Sequence, residues 1–294
     1  MSILNSRLVK TLVPKFIRKR ILAKVIRTNV LNYYDGLNEP ISKEISDVVA
    51  YIRSKGITVF PYDSLDQYVP EDVEVFDDPG KGMRYVLLDG RRLYYKKSWS
   101  KGRIRKTFNG LRKEQDPRCP HCYENELFHV EEGDVVLDIG AAEGNFALSV
   151  VEKASRIILF ESSDEWLEAL RATFEPWKEK VTIVNKFVSD VADEENTSLD
   201  DYIKQGEKIS FLKIDVEGAE SSVLRGCERV LKEQTPLKVA ICTYHKQGDE
   251  QEFLSFFRDR GFEASSTDGF MLVYHDKRLK APFFRRGLVR AIKK

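Results

Sequence analysis

The pattern of apolar and polar positions changes near residue 133. From there on, short apolar runs rich in β-branched residues alternate with longer segments in which apolar residues recur at helical spacing. The apolar runs are 135–139, 157–160, 181–184, 211–214 and 239–242. Strands that are almost wholly apolar and are separated by helices predict a parallel sheet buried on both faces. The sequence therefore predicts an α/β fold of the Rossmann-like kind.

The segments between and after these runs complete the predicted sheet. Helical spacing of apolar residues predicts helices near 145–153, 164–175, 198–204, 217–232 and 249–260. The last part differs, because 262–266 and 271–275 flank a short Thr-Asp-Gly turn. That arrangement is typical of a hairpin. We therefore expect a mostly parallel sheet that ends in an antiparallel pair.

Upstream of residue 118 the pattern predicts a smaller unit. Residues 45–54 have helical spacing, and 85–88 and 91–95 flank Asp89-Gly90, a strong signal for a two-residue hairpin turn. We interpret 31–118 as an α+β extension that packs against the main sheet.

Charge divides the chain more sharply than its net value of +1 indicates. Residues 1–30 and 277–294 together hold 16 of the 48 basic residues and none of the 47 acidic ones, so the body between them is acidic. We therefore divide the chain into a basic amphipathic segment (1–30), the extension (31–118), a main domain (119–276) and a basic amphipathic tail (277–294). Both ends resemble interfacial segments that bind anionic lipid. The alternative is that they pack on the body.

The composition narrows the class of protein. No stretch reaches the roughly 18 uninterrupted apolar residues of a membrane span, and basic residues interrupt the first thirty positions too often for a signal peptide. Four cysteines make a disulfide framework improbable. We predict a cytoplasmic protein that docks peripherally on the inner face of a membrane. The acidic body argues against an extended binding surface for nucleic acid.

The first strand of the main domain ends in a glycine turn, "DIGAAEG". Asp138, Gly140 and Gly144 lie at its carboxyl end, which is where open α/β sheets bind ligands. The helix that follows offers free N–H groups. Glu161 ends the next strand, at a spacing typical of an acid that holds ribose hydroxyls. These features predict a site for a ribose-bearing cofactor.

The spacing of the glycines distinguishes between cofactors. A dinucleotide fingerprint that starts at Gly140 requires glycines at positions 142 and 145, where the chain has Ala142 and Asn145. The pattern Asp-x-Gly-x-x-x-Gly is typical of enzymes that use S-adenosyl-L-methionine (SAM), which has no pyrophosphate. We favour SAM over a dinucleotide; an ordinary strand–helix turn in an inert domain is the third interpretation.

Three acids follow the fourth predicted strand in "FLKIDVEGAE". Asp215 falls at the rim of the predicted pocket, where a carboxylate could orient a substrate hydroxyl or take its proton. Glu217 and Glu220 fall in the first turn of a helix, where acids also suit the helix dipole. We assign Asp215 a functional role and Glu220 a structural one. Carboxylates could also bind Mg²⁺, but we do not favour a metal here.

Five segments of the chain resemble the FkbM family of SAM-dependent methyltransferases. They are "VVLDIGAAEGNF", "ILFESSDEW", "TSLDDYI", "FLKIDVEGAESSVLRG" and "AICTYHKQGDE", and the resemblance covers about 116–276. It implies a class I methyltransferase fold that moves a methyl group to a hydroxyl oxygen. In such families the acceptor is often a sugar or a glycosylated product, so we expect a sugar or glycan acceptor, which could be lipid-linked.

The resemblance also assigns the candidate site. Its catalytic residues would be Asp215, Glu217 and His245, which face the acceptor. A histidine near neutral pH is a natural proton acceptor for a sugar hydroxyl, although a lone histidine is as often structural. The candidate cofactor-binding residues are Asp138, Gly140, Ala141, Gly144, Asn145, Glu161, Ser162, Ser189 and Asp190.

The segment "CPHC" offers a competing site. Cys119 and Cys122 have the spacing of a redox pair or of half a zinc site. Zinc needs two more ligands, and Cys227 and Cys242 are distant in sequence. We interpret the pair as structural, and we expect His121 and Tyr123 to line the cofactor entrance.

Two other classes of function stay open. A methyltransferase acting on RNA or protein would have the same cofactor half, because acceptor pockets are built by loops and extensions. A non-catalytic, membrane-associated module could also retain the fold.

Overall fold

The computed structural model describes residues 14–294, so the start of the predicted basic N-terminal segment lies outside the described residues. A seven-stranded sheet occupies the centre of the fold, in the order β11-β12-β10-β9-β4-β5-β6. Its strands are β4 (Val135–Ile139), β5 (Arg156–Phe160), β6 (Val181–Val184), β9 (Phe211–Ile214), β10 (Leu237–Cys242), β11 (Glu263–Ser266) and β12 (Leu288–Lys293). The five apolar runs of the sequence thus form the strands predicted for them.

The pairing and burial of these strands confirm the predicted parallel sheet. Strands β6, β5, β4, β9 and β10 run parallel to one another. Successive side chains of a strand point to opposite faces, and Val136 and Leu137 accordingly belong to two different core clusters. Because both faces are covered, the carboxyl ends of the strands form the edge where a site can open.

The antiparallel pair at the end of the sheet is present, but its second strand is not the predicted one. Strand β11 pairs with β12, and β12 pairs with β10 along 288–293. Residues 271–275 form only an isolated bridge through Met271. The prediction of a hairpin between 262–266 and 271–275 was therefore wrong, because the chain makes a long excursion before it returns to the sheet.

The same strand corrects the prediction for the basic tail. Leu288, Val289 and Ala291 are fully buried in the sheet, and the Arg290 side chain donates to the Cys122 carbonyl oxygen at 2.6 Å. Residues 288–293 are therefore a sheet strand, and they are not an amphipathic segment available to lipid.

Helices cover both faces of the sheet. They are α4 (Asn145–Val150), α5 (Asp164–Phe174), α6 (Leu199–Tyr202), α7 (Glu220–Arg225), α8 (Glu228–Glu233) and α9 (Asp249–Arg258). The single helix predicted over 217–232 is divided between α7 and α8. A Cβ on Gly226 would lie 2.0 Å from the Ser189 carbonyl oxygen, so this break depends on glycine. Short strands β7 (Phe187–Val188) and β8 (Asn196–Thr197) form a separate pair.

The N-terminal part is an α+β unit, as predicted. Its elements are α1 (Lys15–Asp35), α2 (Lys43–Lys55), β1 (Phe76–Asp78), β2 (Met83–Leu88), β3 (Arg91–Tyr95) and α3 (Lys101–Glu114). Ile26 and Val30 of α1 are buried with residues of α2 and of the excursion before β12. One turn closer to the N-terminus, Ile17, Ile21 and Val25 are 37%, 40% and 39% exposed. Among residues 14–294, no helix is long and apolar enough to cross a membrane.

Candidate active site

The glycine turn after β4 is shaped by close packing against β9. Gly140 has a φ of 77°, in the left-handed region, and a Cβ there would lie 1.9 Å from the Asp215 carbonyl oxygen. Only glycine combines that conformation with that approach. The turn therefore brings the end of β4 directly against the acidic turn after β9.

Glu161 ties the glycine turn to the end of β5. Its Oε2 accepts a hydrogen bond from the Ala142 N–H at 2.8 Å, and its Oε1 accepts one from the Ser163 N–H at 2.7 Å. A cavity of about 370 Å³ opens beside it, with Gly140 and Ser162 in its wall. We call this the cofactor cavity. Glu161 is thus fixed in place at the cavity wall, with further lone pairs for a ligand.

A buried ion pair lies behind the turn. The Lys213 ammonium is 2.9 Å from Asp138 Oδ1, and these side chains are 5% and 1% exposed. The same ammonium donates to the Gly140 carbonyl oxygen at 2.6 Å. Burial raises the pKa of Asp138, and Lys213 opposes that rise. Lys213 therefore compensates the buried acid and holds the glycine turn at the same time.

Asp215 is the centre of a polar cluster at the carboxyl edge of the sheet. Its Oδ2 accepts a hydrogen bond from the Tyr123 hydroxyl at 2.8 Å, and its Oδ1 accepts one from the Tyr244 hydroxyl at 3.2 Å. Nε2 of His121 lies 3.8 Å away. Burial favours a raised pKa for Asp215, but Lys213, the nearby histidines and Tyr123 outweigh it and lower the pKa to about 2. The carboxylate form of Asp215 is therefore favoured at neutral pH.

His245 lies among three acids. Its Nδ1 is 2.8 Å from Glu220 Oε1, and its Nε2 is 3.7 Å from both Asp215 Oδ1 and Glu217 Oε2. Burial lowers the pKa of His245, but these acids outweigh burial and raise it above its ordinary value. The imidazolium form therefore persists to a higher pH than in a free histidine.

The acidic turn itself is ordered by Glu220. This side chain is 1% exposed, and its Oε1 accepts the N–H groups of Val216 and Gly218 at 3.1 and 3.3 Å. Its structural assignment is thus supported, but its contact with His245 adds a role that the sequence did not indicate. Glu217 has a φ of 54°, and its side chain is 95% exposed.

A second cavity, of about 500 Å³, opens on the other side of this turn. Its wall combines Glu217, Tyr244 and His245 with residues of the N-terminal unit and of the excursion before β12. Glu217 also lines the cofactor cavity. The two cavities therefore meet at the acidic turn, and we call the second one the acceptor cavity.

The structure brings most of the predicted residues to these cavities. Gly140, Glu161, Ser162, Asp215 and Glu217 line the cofactor cavity, and His245 and Glu217 line the acceptor cavity. His121 lines the acceptor cavity, beside Tyr244, and does not line the cofactor cavity.

Six predicted cofactor-binding residues lie outside the cofactor cavity wall: Asp138, Ala141, Gly144, Asn145, Ser189 and Asp190. Asp138 pairs with Lys213, and a Cβ on Gly144 would lie 2.7 Å from the Leu170 side chain. The Asp190 carboxylate accepts a hydrogen bond from Arg225 Nε at 2.7 Å. Asp138, Gly144 and Asp190 thus make contacts within the protein, and direct contact of all six residues with a cofactor stays a prediction.

Sequence reasoning missed several residues of the cofactor cavity, among them a small residue and two aromatic ones. Ala142, Trp166 and Phe187 line it, and Phe187 is 57% exposed. An aromatic residue just past the third apolar run was the available signal, because the carboxyl ends of parallel strands meet at one edge.

Within residues 14–294, two groups of side chains are close enough to hold a metal ion: His121 with Asp215 and Cys242, and Asp215 with Glu220 and His245. Neither includes Cys119 or Cys122, which are buried free thiols whose pKa is raised by burial. A buried thiol with a raised pKa is inert, which supports the structural interpretation of that pair. Metal dependence stays untested.

Comparisons with known proteins find similar sequences and structures. A sequence model described as "Methyltransferase FkbM domain" matches residues 102–264. A search of curated proteins finds no match. Among solved structures, the methyltransferase FkbM from Methylobacillus flagellatus KT is similar, with 16% identity, 94% of this chain and 70% of that chain covered, and a TM-score of 0.45.

Two further solved structures contain the cofactor or its product. A putative tRNA (m1A22) methyltransferase from Streptococcus pneumoniae, in complex with S-adenosyl-L-methionine, has 15% identity over 56% of this chain and 69% of that chain, with a TM-score of 0.37. A putative methyltransferase from Streptococcus mutans, in complex with SAH (S-adenosylhomocysteine), has 16% identity over 56% of this chain and 91% of that chain, with a TM-score of 0.37.

The match to the FkbM methyltransferase domain, together with the mostly parallel sheet and its glycine turn, defines a class I, SAM-dependent methyltransferase. The matched residues make up more than half of the chain. The chain therefore belongs to the FkbM methyltransferase family.

Proposed function

We propose that this enzyme transfers a methyl group from SAM to a hydroxyl of a sugar or glycan intermediate. One observation carries the proposal: two separate cavities meet at the acidic turn, and Glu217 lines both. A transferase needs a donor and an acceptor in contact at one point, with the reacting atoms held in line. The polar residues at this junction suit a hydroxyl acceptor.

The residues of the cofactor cavity fit SAM, which supplies an electrophilic methyl group on a positively charged sulfur when it is bound. Glu161 is fixed by two backbone N–H groups and retains lone pairs for the ribose hydroxyls. The exposed ring of Phe187 offers an apolar face to the adenine. The negative charge of Asp215 favours binding of the positively charged sulfur of SAM.

On the acceptor side, Asp215 and His245 orient the hydroxyl. The acceptor oxygen must lose its proton as it gains the methyl group, so a polar group has to receive that proton. Asp215 lines the cofactor cavity and His245 lines the acceptor cavity, and their side chains lie 3.7 Å apart where the two cavities meet. Their contacts with Tyr123, Tyr244 and Glu220 hold them in fixed orientations.

Two measurements test the proposal. S-adenosylhomocysteine should raise the melting temperature of the protein, because a ligand that binds only the folded state stabilises it. Labelled SAM should then transfer its methyl group to a glycan fraction. Transfer to RNA or protein would replace the acceptor class. Absence of any binding would favour a non-catalytic module and end the enzymatic proposal.

We further propose that α1 docks the enzyme on an anionic membrane surface of the cytoplasm. Ile17, Ile21 and Val25 are spaced four residues apart and are exposed, so they form an apolar stripe on one helix face. Residues 1–30 carry eight basic residues and no acid. A basic helix with an exposed apolar stripe suits the boundary of anionic headgroups and acyl chains.

Vesicle binding tests this second proposal. The variant Ile17→Ser/Ile21→Ser/Val25→Ser should lose about 10-fold or more in affinity for vesicles of phosphatidylglycerol and phosphatidylcholine. It removes three apolar side chains that would become buried in the lipid on docking. Leu127→Ser is the matched control, because Leu127 is 87% exposed elsewhere on the surface. Equal binding of the two variants would contradict docking through α1.

A further inference from the structure

The proton of the acceptor hydroxyl needs a better base than the residues considered so far. The pKa of Asp215 is about 2, and both of its oxygens already accept hydrogen bonds from tyrosines. Both ring nitrogens of His245 already lie beside carboxylates, Nδ1 at 2.8 Å from Glu220 and Nε2 at 3.7 Å from Asp215 and Glu217. Asp215 and His245 are therefore suited to orientation and charge stabilisation, because their proton-accepting atoms already have partners.

The acceptor cavity contains another carboxylate, that of Glu114. It lines the same cavity as Glu217, Tyr244 and His245. Across the part of the chain from residue 14 onward, its side chain has no hydrogen-bond or ion-pair partner. All other acids in the cavity wall lie beside a cationic group: Glu217 near His245, and Asp276 beside Arg285.

The position of Glu114 in its helix is also unusual for an acid. It is the last residue of α3, directly after Arg112 and Lys113. Basic residues suit a helix C-terminus, whereas an acid there faces the negative end of the helix dipole. The helix end gives Glu114 no stabilisation, so its place in the cavity wall needs another explanation.

We propose that the Glu114 carboxylate, facing the acceptor cavity without a partner, accepts the proton of the acceptor hydroxyl. This assignment rests on the proposed function. The hydroxyl oxygen forms its bond to the methyl carbon as the bond from that carbon to sulfur breaks. The electron pair of the broken bond stays on sulfur, and the hydroxyl proton moves to Glu114. Asp215 and His245 keep their orienting roles.

The electrostatic surroundings of Glu114 support this role. Burial raises its pKa most, the acids Glu143, Asp215 and Glu217 raise it further, and Lys213 opposes them, giving a pKa of about 8. Proton transfer is most efficient when the pKa of the base lies near the working pH. The uncompensated site therefore gives Glu114 the basicity that Asp215 lacks.

Glu114→Gln tests the assignment, because it keeps the shape of the side chain and removes its basicity. Turnover with labelled SAM and the glycan fraction should fall by about 10²- to 10⁴-fold, while the dissociation constant of S-adenosylhomocysteine should change less than about 3-fold. Glu114→Asp keeps a carboxylate on a side chain that is one methylene shorter, so it should recover part of the lost turnover. Glu126→Gln removes an exposed acid outside this cavity and serves as the control.

The pH profile separates a base from a structural residue. Wild-type turnover should rise with pH through an acidic limb near the pKa of Glu114, and that limb should be absent from the residual activity of Glu114→Gln. Retention of more than about a tenth of wild-type turnover by Glu114→Gln, or an unchanged limb, would overturn the assignment. A wild-type protein that transfers no methyl group would instead contradict the proposed function.

Discussion

The cofactor and acceptor cavities share one edge of the sheet but are built from different parts of the chain. Residues between Ile139 and Ala219 line the whole cofactor cavity. The acceptor cavity takes its walls from the N-terminal unit, from the ends of β9 and β10, and from the excursion before β12. One cavity is thus local to the sheet, and the other depends on long-range packing.

This difference in construction bears on what each cavity determines, the cofactor that is bound or the acceptor that is chosen. The cofactor cavity uses the glycine turn and a carboxylate held by two backbone N–H groups, which any sheet with this topology can supply. The acceptor cavity adds residues that have no counterpart in the sheet, including Phe60 and Arg278. The chemistry of the donor therefore follows from the fold, whereas the choice of acceptor follows from the added elements.

Asp215→Asn should produce the largest effect, because it acts where the two cavities meet. The amide retains the shape and can still accept a tyrosine hydrogen bond, but it removes the negative charge that would stabilise the positive charge developing on the acceptor oxygen. We expect turnover to fall by about 10²-fold or more, the magnitude typical of lost electrostatic stabilisation. Binding of S-adenosylhomocysteine, measured by calorimetry, should change less than about 3-fold, because this product carries no sulfonium charge.

A comparison between donor and product analogues sharpens the test. If the charge of Asp215 acts on the sulfonium, Asp215→Asn should weaken SAM more than S-adenosylhomocysteine. If Asp215→Asn weakened the binding of both ligands equally, by more than about 10-fold, Asp215 would act by maintaining the shape of the cofactor cavity. The division of roles between the two cavities would then be wrong at this residue.

The sequence predicted the sheet and the cofactor corner because their signals are local. The parallel strands are nearly all apolar, and Asp138, Gly140 and Glu161 stand at strand ends that a regular α/β order brings to one edge. Strand β12 escaped prediction because Arg290 and Lys293 interrupt it. In the fold these side chains reach backbone carbonyls of Cys122 and Leu231, and no local pattern indicates such contacts.

The two basic ends of the chain show the same limit. They have similar charge and similar apolar content, yet α1 exposes Ile17 and Ile21 whereas β12 buries Leu288 and Val289. Glu114 also escaped sequence reasoning, because an acid in a polar helix is ordinary until the cavity beside it is known. Residues that act through long-range neighbours therefore need the structure.

Glu161→Gln should produce a smaller effect, confined to the cofactor cavity. The carboxylate accepts two backbone N–H groups, and an amide would direct its own N–H₂ group at one of them. The carboxylate would also accept a ribose hydroxyl, and the loss of that hydrogen bond to a charged group costs about 1.5–3 kcal/mol, so the dissociation constant of S-adenosylhomocysteine should rise by about 10- to 150-fold. Turnover at saturating SAM should fall much less, because the acceptor cavity is unchanged.

Calorimetry on Glu161→Gln and Glu179→Gln gives the matched comparison, since Glu179 is an exposed acid on the loop before β6. We expect Glu179→Gln to bind as the wild type does. A Glu161→Gln protein that binds normally but turns over slowly would reverse the expected division, because the residue that anchors the cofactor cavity would then act on the reaction and not on binding. A loss of cofactor affinity at Glu161 and a loss of turnover at Asp215 can occur separately only if the two cavities are energetically independent.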